Sequence, residues 1–497
     1  MEAAIAKSKE PSAEIRTDRN VAIWLFSILF LVYQFNVGFL PGDDAAANIF
    51  LPMTIIKNHR LSFAPETHPF MFSWRKNGVQ NADTTIYSTV GWRSEVKNWP
   101  ESIGYRLSEF QLIEERYFIV RSARENSYVN TFGIGTGLFA LPVFALLHLA
   151  VGLESQSTHF FWYVGKVVAS SAVAGSAVLI FLIAARFCAR GAGLLLAFAY
   201  GLGTCVWSIS SQSLWQHGPV ELFLALGAYF YLKPKLAWKD WVFVGFAWAL
   251  ASLCRPTIVT VVLVMGSWLA VTNRGSFVPF CLGAAPIGGL MAIYNWYYFD
   301  NPVSFGQTER GVSIALEKTG STDVWQTPLL DGLAGLLVSP SRGLFIYSPF
   351  LILAVFGMCR IWKEPSLSRF RPLTLSVVAL VVIASKWFDW WGGWAYGYRP
   401  IVDAAPLLVL FMISVLPWAL NGFLRRTIFG SLLIWSIAVQ FIGAFSYDLS
   451  SWNNRGGMNI DRPAFRYRLW SLQDNQIWYY CIYFCESSEK KFQRISN

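Results

Sequence analysis

Charge is what this chain has least of. Only 14% of its 497 residues are Asp, Glu, Lys or Arg, where a soluble domain carries about a quarter. Such a composition excludes a soluble globular enzyme, a disordered chain and a collagen-like fibre. Cysteine is sparse and unpatterned. The seven Cys have no metal-ligand spacing and not the density of a small disulfide scaffold. Cys188, Cys205, Cys254, Cys281 and Cys359 fall in or beside apolar stretches, where a thiol packs as a small hydrophobe. Cys481 and Cys485 lie in the polar tail and could pair if that tail is outside the cell. There is no Walker loop, no dinucleotide-binding Gly signature after a strand, no HExxH and no Ser nucleophile elbow. An activated donor would therefore have to come from the membrane. A cleavable signal peptide is missing too. Residues 1–20 are polar and carry Lys7, Lys9, Arg16 and Arg19, and the first apolar run, 21–40, is long enough to span. It reads as a signal anchor with a cytoplasmic N-terminus.

What the chain has in abundance is apolar runs and aromatic rings. Aromatics make up 16% of it, with 23 Trp, which suits a protein anchored at two membrane interfaces. Apolar stretches run at 21–40, 134–153, 161–185, 191–209, 218–232, 241–254, 257–272, 277–298, 343–361, 372–386, 401–419 and 427–446. They predict an all-α polytopic membrane protein of about 11–12 transmembrane helices. The net charge of +10 needs no nucleic acid, because basic residues on short cytoplasmic loops supply it.

Those basic residues set the sidedness. Arg186 with Arg190, Lys233 with Lys235 and Lys239, Arg274, Lys363 with Arg369 and Arg371, and Arg425 with Arg426 recur at every second turn. Placing all of them in the cytoplasm puts 210–217, 255–256, 299–342, 386–400 and the tail 447–497 outside. The long loop 41–133 is outside as well. The parity closes only if 134–153, with Gly133, Gly135, Gly137 and Pro142, lies at the outer interface or re-enters. Eleven spans then remain, N-terminus in and C-terminus out. No two related halves are visible, unlike many transporters. The long first loop, with Trp74, Trp92 and Trp99, points to chemistry at the outer face.

Several constellations could carry that chemistry. Asp43 and Asp44 follow the first span directly, where a partly desolvated carboxylate gains basicity and can act as a general base or metal ligand. Lys166, near the start of a span, is a cation for a phosphate or a snorkelling interfacial Lys. The outer turn 211–221 holds His217 and Glu221 four residues apart, an acid–base or ligand pair, although Gly218-Pro219 weakens a continuous helix there. Arg342 precedes a span on the outer side, where its guanidinium fork fits a phosphate or a structural ion pair. The segment 386–400 interleaves Trp390, Trp391, Trp394, Tyr396 and Tyr398 with Gly392, Gly393 and Gly397 and ends in Arg399. A plain aromatic belt does not require those glycines, which permit close backbone approach.

Taken together these motifs resemble the GT-C superfamily of polyprenyl-phosphate-sugar-dependent glycosyltransferases, such as protein O-mannosyltransferases and lipid A aminoarabinose transferases. Gly42-Asp43-Asp44-Ala45-Ala46-Ala47 followed by Asn58-His59-Arg60-Leu61-Ser62-Phe63 resembles the family's acidic element after the first span, which often reads Asp-Glu. Lys166 stands where the family usually has Arg. His217 and Glu221 stand at its short outer turn, which is often acidic. The segment from Trp391 to Pro400, running into Asp403, is similar to the late outer loop of bacterial members. The likeness covers most of residues 20–446, and the tail has no assignment.

The resemblance implies a GT-C-type helical bundle with a long first extracytoplasmic loop, in a bacterial inner membrane, working on the periplasmic side. It implies a polyprenyl-phosphate-linked sugar donor and a glycan, lipid or protein acceptor, with membrane lipids around it and no nucleic acid. Asp43 and Asp44 would be catalytic, as general base. Arg399, Arg342 and Lys166 would hold the donor phosphate. His217, Glu221, Trp390, Trp391 and Tyr396 would shape the sugar and acceptor pocket. No metal or cofactor is required, although two adjacent Asp leave room for a divalent cation. A lipid-linked glycan flippase or transporter, or a membrane glycan ligase or polymerase, are the alternatives.

Overall fold

The computed structural model describes residues 11–68, 71–76, 85–87, 110–116, 118–153 and 156–485. Trp92 and Trp99, and the side chains of Asp43 and Trp74, lie outside the described residues.

The chain is mostly helical. Helix α1 spans Pro11–Gln34, α2 Asp43–Asn58 and α3 Gly135–Val151. Helix α4 (Thr158–Ala184) starts at Ser157, whose side chain accepts the Phe160 N–H and so satisfies one orphan donor of the first turn. Then come α5 (Arg190–Gly203), α6 (His217–Tyr231), α7 (Trp238–Cys254), α8 (Val259–Thr272) and α9 (Arg274–Phe299). Helix α9 is capped the same way, by Asn273 on Ser276 N. The remaining long elements are α10 (Gly306–Thr319), α11 (Leu329–Val338), α12 (Ile352–Lys363), α13 (Arg371–Lys386), α14 (Ala405–Phe411) and α15 (Phe423–Ser446).

Four helical segments among the described residues are long and apolar enough to cross a membrane: Thr158–Ala184, Arg274–Phe299, Pro365–Lys386 and Phe423–Ser446. This is fewer than the apolar runs alone predict. Several of the other runs are broken by local chemistry. A π-helical turn, Val206–Ser210, follows α5, and Pro256, Pro349 and Pro400 each open a 3-10 turn at a helix junction.

The helices join two polar ends. At one end the basic clusters meet. Arg190 pairs with Asp18 at 2.6 Å, Arg186 donates to Tyr229 O, and Arg369 donates to Lys233 O. Trp268, near the end of α8, meets Trp362, near the end of α12. At the other end Phe39 stacks on Trp162 of the first turns of α4, and Leu40 N donates to Gln212 O. The start of α3 belongs to this second layer: Gly135 sits so close to the end of α7 that a Cβ would lie 2.5 Å from Cys254 N.

Small residues let the backbones touch. A Cβ on Gly245 of α7 would lie 2.0 Å from Phe280 O of α9, and one on Gly283 would lie 1.9 Å from Val242 O. This mutual pair is the close small-residue packing typical of membrane helices.

The all-α expectation needs one correction. The long first loop carries short strands: β1 (Phe72–Lys76), β2 (Thr85–Tyr87), β3 (Phe110–Glu115), β4 (Ile119–Arg121) and β5 (Tyr128–Asn130). They form an antiparallel sheet in the order β2-β1-β3 and a β4–β5 hairpin. Outside the apolar spans the backbone needs other partners for its N–H and C=O groups, and cross-strand pairing supplies them. The tail is no appendage either. Trp452, Ile460, Leu469, Ile477 and Tyr480 are buried in the same core as the helices. The seven cysteines are all free. Cys481 and Cys485 stand one turn apart on a terminal helix, where their Cβ vectors run side by side, so the pairing expected of them is not made.

Candidate functional site

The second polar layer gathers residues from distant parts of the sequence. Asp43 and Asp44 open the first turn of α2, where free N–H groups favour a carboxylate. Asp44 is buried and paired with the guanidinium of Arg399, 355 positions later. Arg399 also donates to Gly392 O at 2.7 Å. Gly392 and Gly393 both have positive φ, +72° and +61°, a conformation that other residues resist. The glycine pair therefore delivers the carbonyl that orients the arginine. The same guanidinium stands 5.0 Å over the ring of Trp215.

Trp215 belongs to the turn between the π-helical turn and α6. That turn is tied down on both sides. Asn48 of α2 donates to Leu214 O at 3.0 Å, and Asn130 of β5 donates to Asn48 Oδ1 at 2.6 Å. The indole lies against the backbone just before the acidic pair. A Cβ at position 42 would fall 2.7 Å from Trp215 Nε1, so only glycine fits there.

His217 opens α6. Its Nδ1 is 2.9 Å from Asp403 Oδ1. The second oxygen of Asp403 pairs with Arg255, which also donates to Pro400 O at 3.1 Å. Asp403 and His217 are almost wholly enclosed, so the carboxylate needs the cation to remain charged. Asp44, Arg399, Trp215, His217, Asp403 and Arg255 thus form one contiguous polar cluster. It is also incompletely bonded. Trp215 Nε1, Arg255 Nε, Ser213 Oγ and Gln216 Oε1 are buried with no hydrogen-bond partner. Each such atom costs about 1–3 kcal/mol unless water or a ligand meets it.

Other expected site residues lie elsewhere. Lys166 is fully buried and donates to Asn36 Oδ1 and Gly38 O. It fastens the link between α1 and α2 to α4. Glu221 does not pair with His217, although α6 does contain both. It sits one turn deeper, accepting from Ser210 Oγ at 2.6 Å and Tyr200 OH at 3.2 Å, and the partner of His217 is Asp403.

Arg342 requires a plain correction. All five of its guanidinium N–H bonds are taken. They go to Trp391 O, Ser341 O, Gln476 Oε1, Gly393 O and Asn453 Oδ1. No donor remains for a phosphate. Trp390, Trp391 and Tyr396 are likewise core rather than pocket wall. Trp391 Nε1 donates to Asp461, Tyr396 OH donates to Val439 O, and Trp390 packs between Gly335 and Trp470. The tail covers this part of the late loop and uses its aromatic surface.

Nearby, at the same polar end, Lys318 of α10 bridges Asp389 and Asp461 at 3.0 and 3.1 Å. Burial pulls the Lys318 ammonium down, but the two carboxylates outweigh it and hold it above its ordinary value. Burial in turn pushes the Asp461 carboxyl up, against the pull of Lys318.

The divalent cation allowed by two adjacent Asp is not favoured by this donor set. Asp44 is already faced by a guanidinium, and among the described residues no group of three or more His, Cys, Asp or Glu gathers. Sequence reasoning overlooked Arg255, Asn48 and Asn130 as site residues. The signal for Arg255 was present: a single Arg before Pro256, between two apolar stretches, at the end lacking the basic clusters. Nothing marked the two asparagines, which act only through contacts made by folding. No family model matches the chain, and neither does any curated protein.

Proposed function

We propose that the chain is an integral membrane glycosyltransferase of the GT-C type. It moves a sugar from a polyprenyl-phosphate donor to an acceptor hydroxyl, at the periplasmic face of a bacterial inner membrane. The observation that carries this reading is the convergence of Asp44, beside Asp43, with Arg399 and Trp215. A first-loop acidic pair and a late-loop arginine meet at the polar end opposite the basic clusters. Eleven passes between the two ends fit the alternation of the basic clusters.

The chemistry follows from the charges. A carboxylate of the acidic pair takes the proton of the acceptor hydroxyl. The freed oxygen attacks the anomeric carbon from the face opposite the phosphate and inverts it. The bond from that carbon to the phosphate oxygen breaks, and the electron pair leaves with the phosphate. Arg399 stabilises the charge that develops there. Asp43 is the better base, because Asp44 is engaged with Arg399. His217 and Asp403 border the acceptor side and, with Arg255, keep the late loop in register.

The test is sugar transfer from radiolabelled polyprenyl-phosphate sugars to cell-envelope acceptors, by protein purified in detergent. Wild type is expected to transfer label. Asp43→Asn should bind donor without transferring. A fully active Asp43→Asn removes the base assignment. A wild type that transfers from no donor in the panel removes the transferase.

A further inference from the structure

Two buried N–H donors in the polar cluster have no acceptor, and both flank Arg399. One is Trp215 Nε1, on a side chain that is 1% exposed. The other is Arg255 Nε, on a guanidinium whose other nitrogens are used by Asp403 and Pro400 O. An indole N–H can only donate, and so can a guanidinium N–H. The missing partner is therefore an acceptor. Trp215, Arg255 and Arg399 belong to one cluster, since Arg399 stands 5.0 Å over the Trp215 ring and Arg255 donates to Pro400 O, the next residue in the chain, and a donor set with two guanidinium cations suits an oxyanion. The surrounding architecture holds these donors in place. Glycine at position 42 leaves room for the indole edge, the Asn48 bond fixes Leu214 next to it, and Arg399 stacks over its ring.

We infer that Trp215, through its indole N–H and together with Arg255 Nε, binds a phosphate oxygen of the ligand beside the acidic pair. The assignment deepens the transferase reading, on which it rests for the lipid that brings the phosphate. It replaces Arg342 and Lys166, whose bonds are made within the protein, with two groups whose bonds are open. Arg399 completes the set once the phosphate competes with Asp44 for its guanidinium.

The experiment measures binding to the full chain in detergent with three probes: undecaprenyl phosphate, undecaprenol without phosphate, and inorganic phosphate as competitor. Trp215→Phe keeps a ring beneath Arg399 and removes only the N–H. It is expected to weaken undecaprenyl phosphate by about ten-fold or more and to leave undecaprenol unchanged. Arg255→Lys keeps the charge beside Asp403 but loses Nε–H, and it carries the test if Trp215→Phe does not fold. It should show the same selective loss. Trp362→Phe, at the far end of the bundle, controls for removal of a tryptophan. Competition by inorganic phosphate would show that the head group alone is read, and failure to compete that the lipid must present it; the donor role stands on the selective loss in either case. The inference is overturned if Trp215→Phe binds undecaprenyl phosphate as tightly as wild type, or loses both lipids equally. It is overturned as well if wild type binds none of the probes. Phosphate-selective binding without transfer from any sugar-loaded donor would remove the transferase and keep this site. Transfer unaffected by Trp215→Phe would do the reverse.

Discussion

Two buried charge clusters lie at the polar end opposite the basic clusters, and their central arginines sit in differently bonded surroundings. Around Arg342, every guanidinium donor meets an oxygen from the late loop or the tail. Arg468 beside it is just as enclosed, with Asp474, Met458 O and Trp452 O as partners. Around Arg399, the charges are paired but Trp215 Nε1 and Arg255 Nε stay open. A saturated cluster has done its work when the chain folds. An unsaturated one keeps a cost that a ligand can repay. Position in the sequence does not separate the two arginines, since each stands beside an apolar run. The open donors of the neighbouring Trp215 and Arg255 do.

The contrast is broken most sharply at Arg399. Arg399→Ala should reduce sugar transfer by about two to three orders of magnitude in a protein that still folds, although stranding the buried Asp44 carboxylate costs it about 3 kcal/mol of stability. A loss of folding instead, seen by size-exclusion profile, would make the arginine structural like Arg342. The opposite pattern is expected for Arg342→Ala. Stripping out that side chain strands several buried oxygens and should cost about 3 kcal/mol or more of stability. Thermal unfolding in detergent measures it, and a variant that folds normally yet loses donor binding would return Arg342 to the phosphate.

A third case sharpens the rule at His68, in the long first loop. Both ring nitrogens are satisfied, by Thr54 Oγ1 at 3.0 Å and Thr67 Oγ1 at 2.8 Å. Burial, helped by nearby Lys57, pushes its pKa down to about 3. The unfolded chain binds the proton near 6.5, so the proton favours unfolding. Stability from this residue is complete above about pH 6.5 and falls as the pH drops from there toward 3, by up to about 1.4 kcal/mol per unit. At pH 5 the loss is about 2 kcal/mol. Unfolding curves of wild type and His68→Gln between pH 7 and pH 4 should converge as the pH falls; parallel curves would refute the assignment. The smallest effect belongs to Asp461→Asn. Lys318 keeps Asp389, so stability should change by only about 1 kcal/mol, again by thermal unfolding. A larger drop would mean that the tail hangs on this one bridge.

Much of the architecture was legible from composition and charge. Apolar runs announced helices, and the basic clusters announced which ends meet. Arg190 beside Asp18 and Arg369 beside Lys233 O bear on the same end because hydration of charge is a local property of each loop. Helix lengths were less legible. A hydropathy run does not reveal that a π-helical turn interrupts it or that Pro256 splits two helices. The strands of the first loop were missed for a similar reason, since their apolar alternation is short and β1 pairs with β3 far along the chain, Phe72 with Glu115.

The sequence by itself determined that this is a mostly helical chain with helices long and apolar enough to cross a membrane, that its acidic pair follows the first apolar run, and that its late loop is built of Trp, Gly and a final Arg. These are properties of adjacent residues, fixed by hydrophobicity and backbone chemistry. Only the tertiary structure decided which charges act together. It joined Asp44 to Arg399 and Asp403 to Arg255, withdrew Arg342, Lys166 and Glu221 into internal bonds, and left Trp215 with an open N–H. The reason is that a hydrogen bond depends on distance and direction between groups far apart in the chain, and no local pattern records whether a buried donor has found its acceptor.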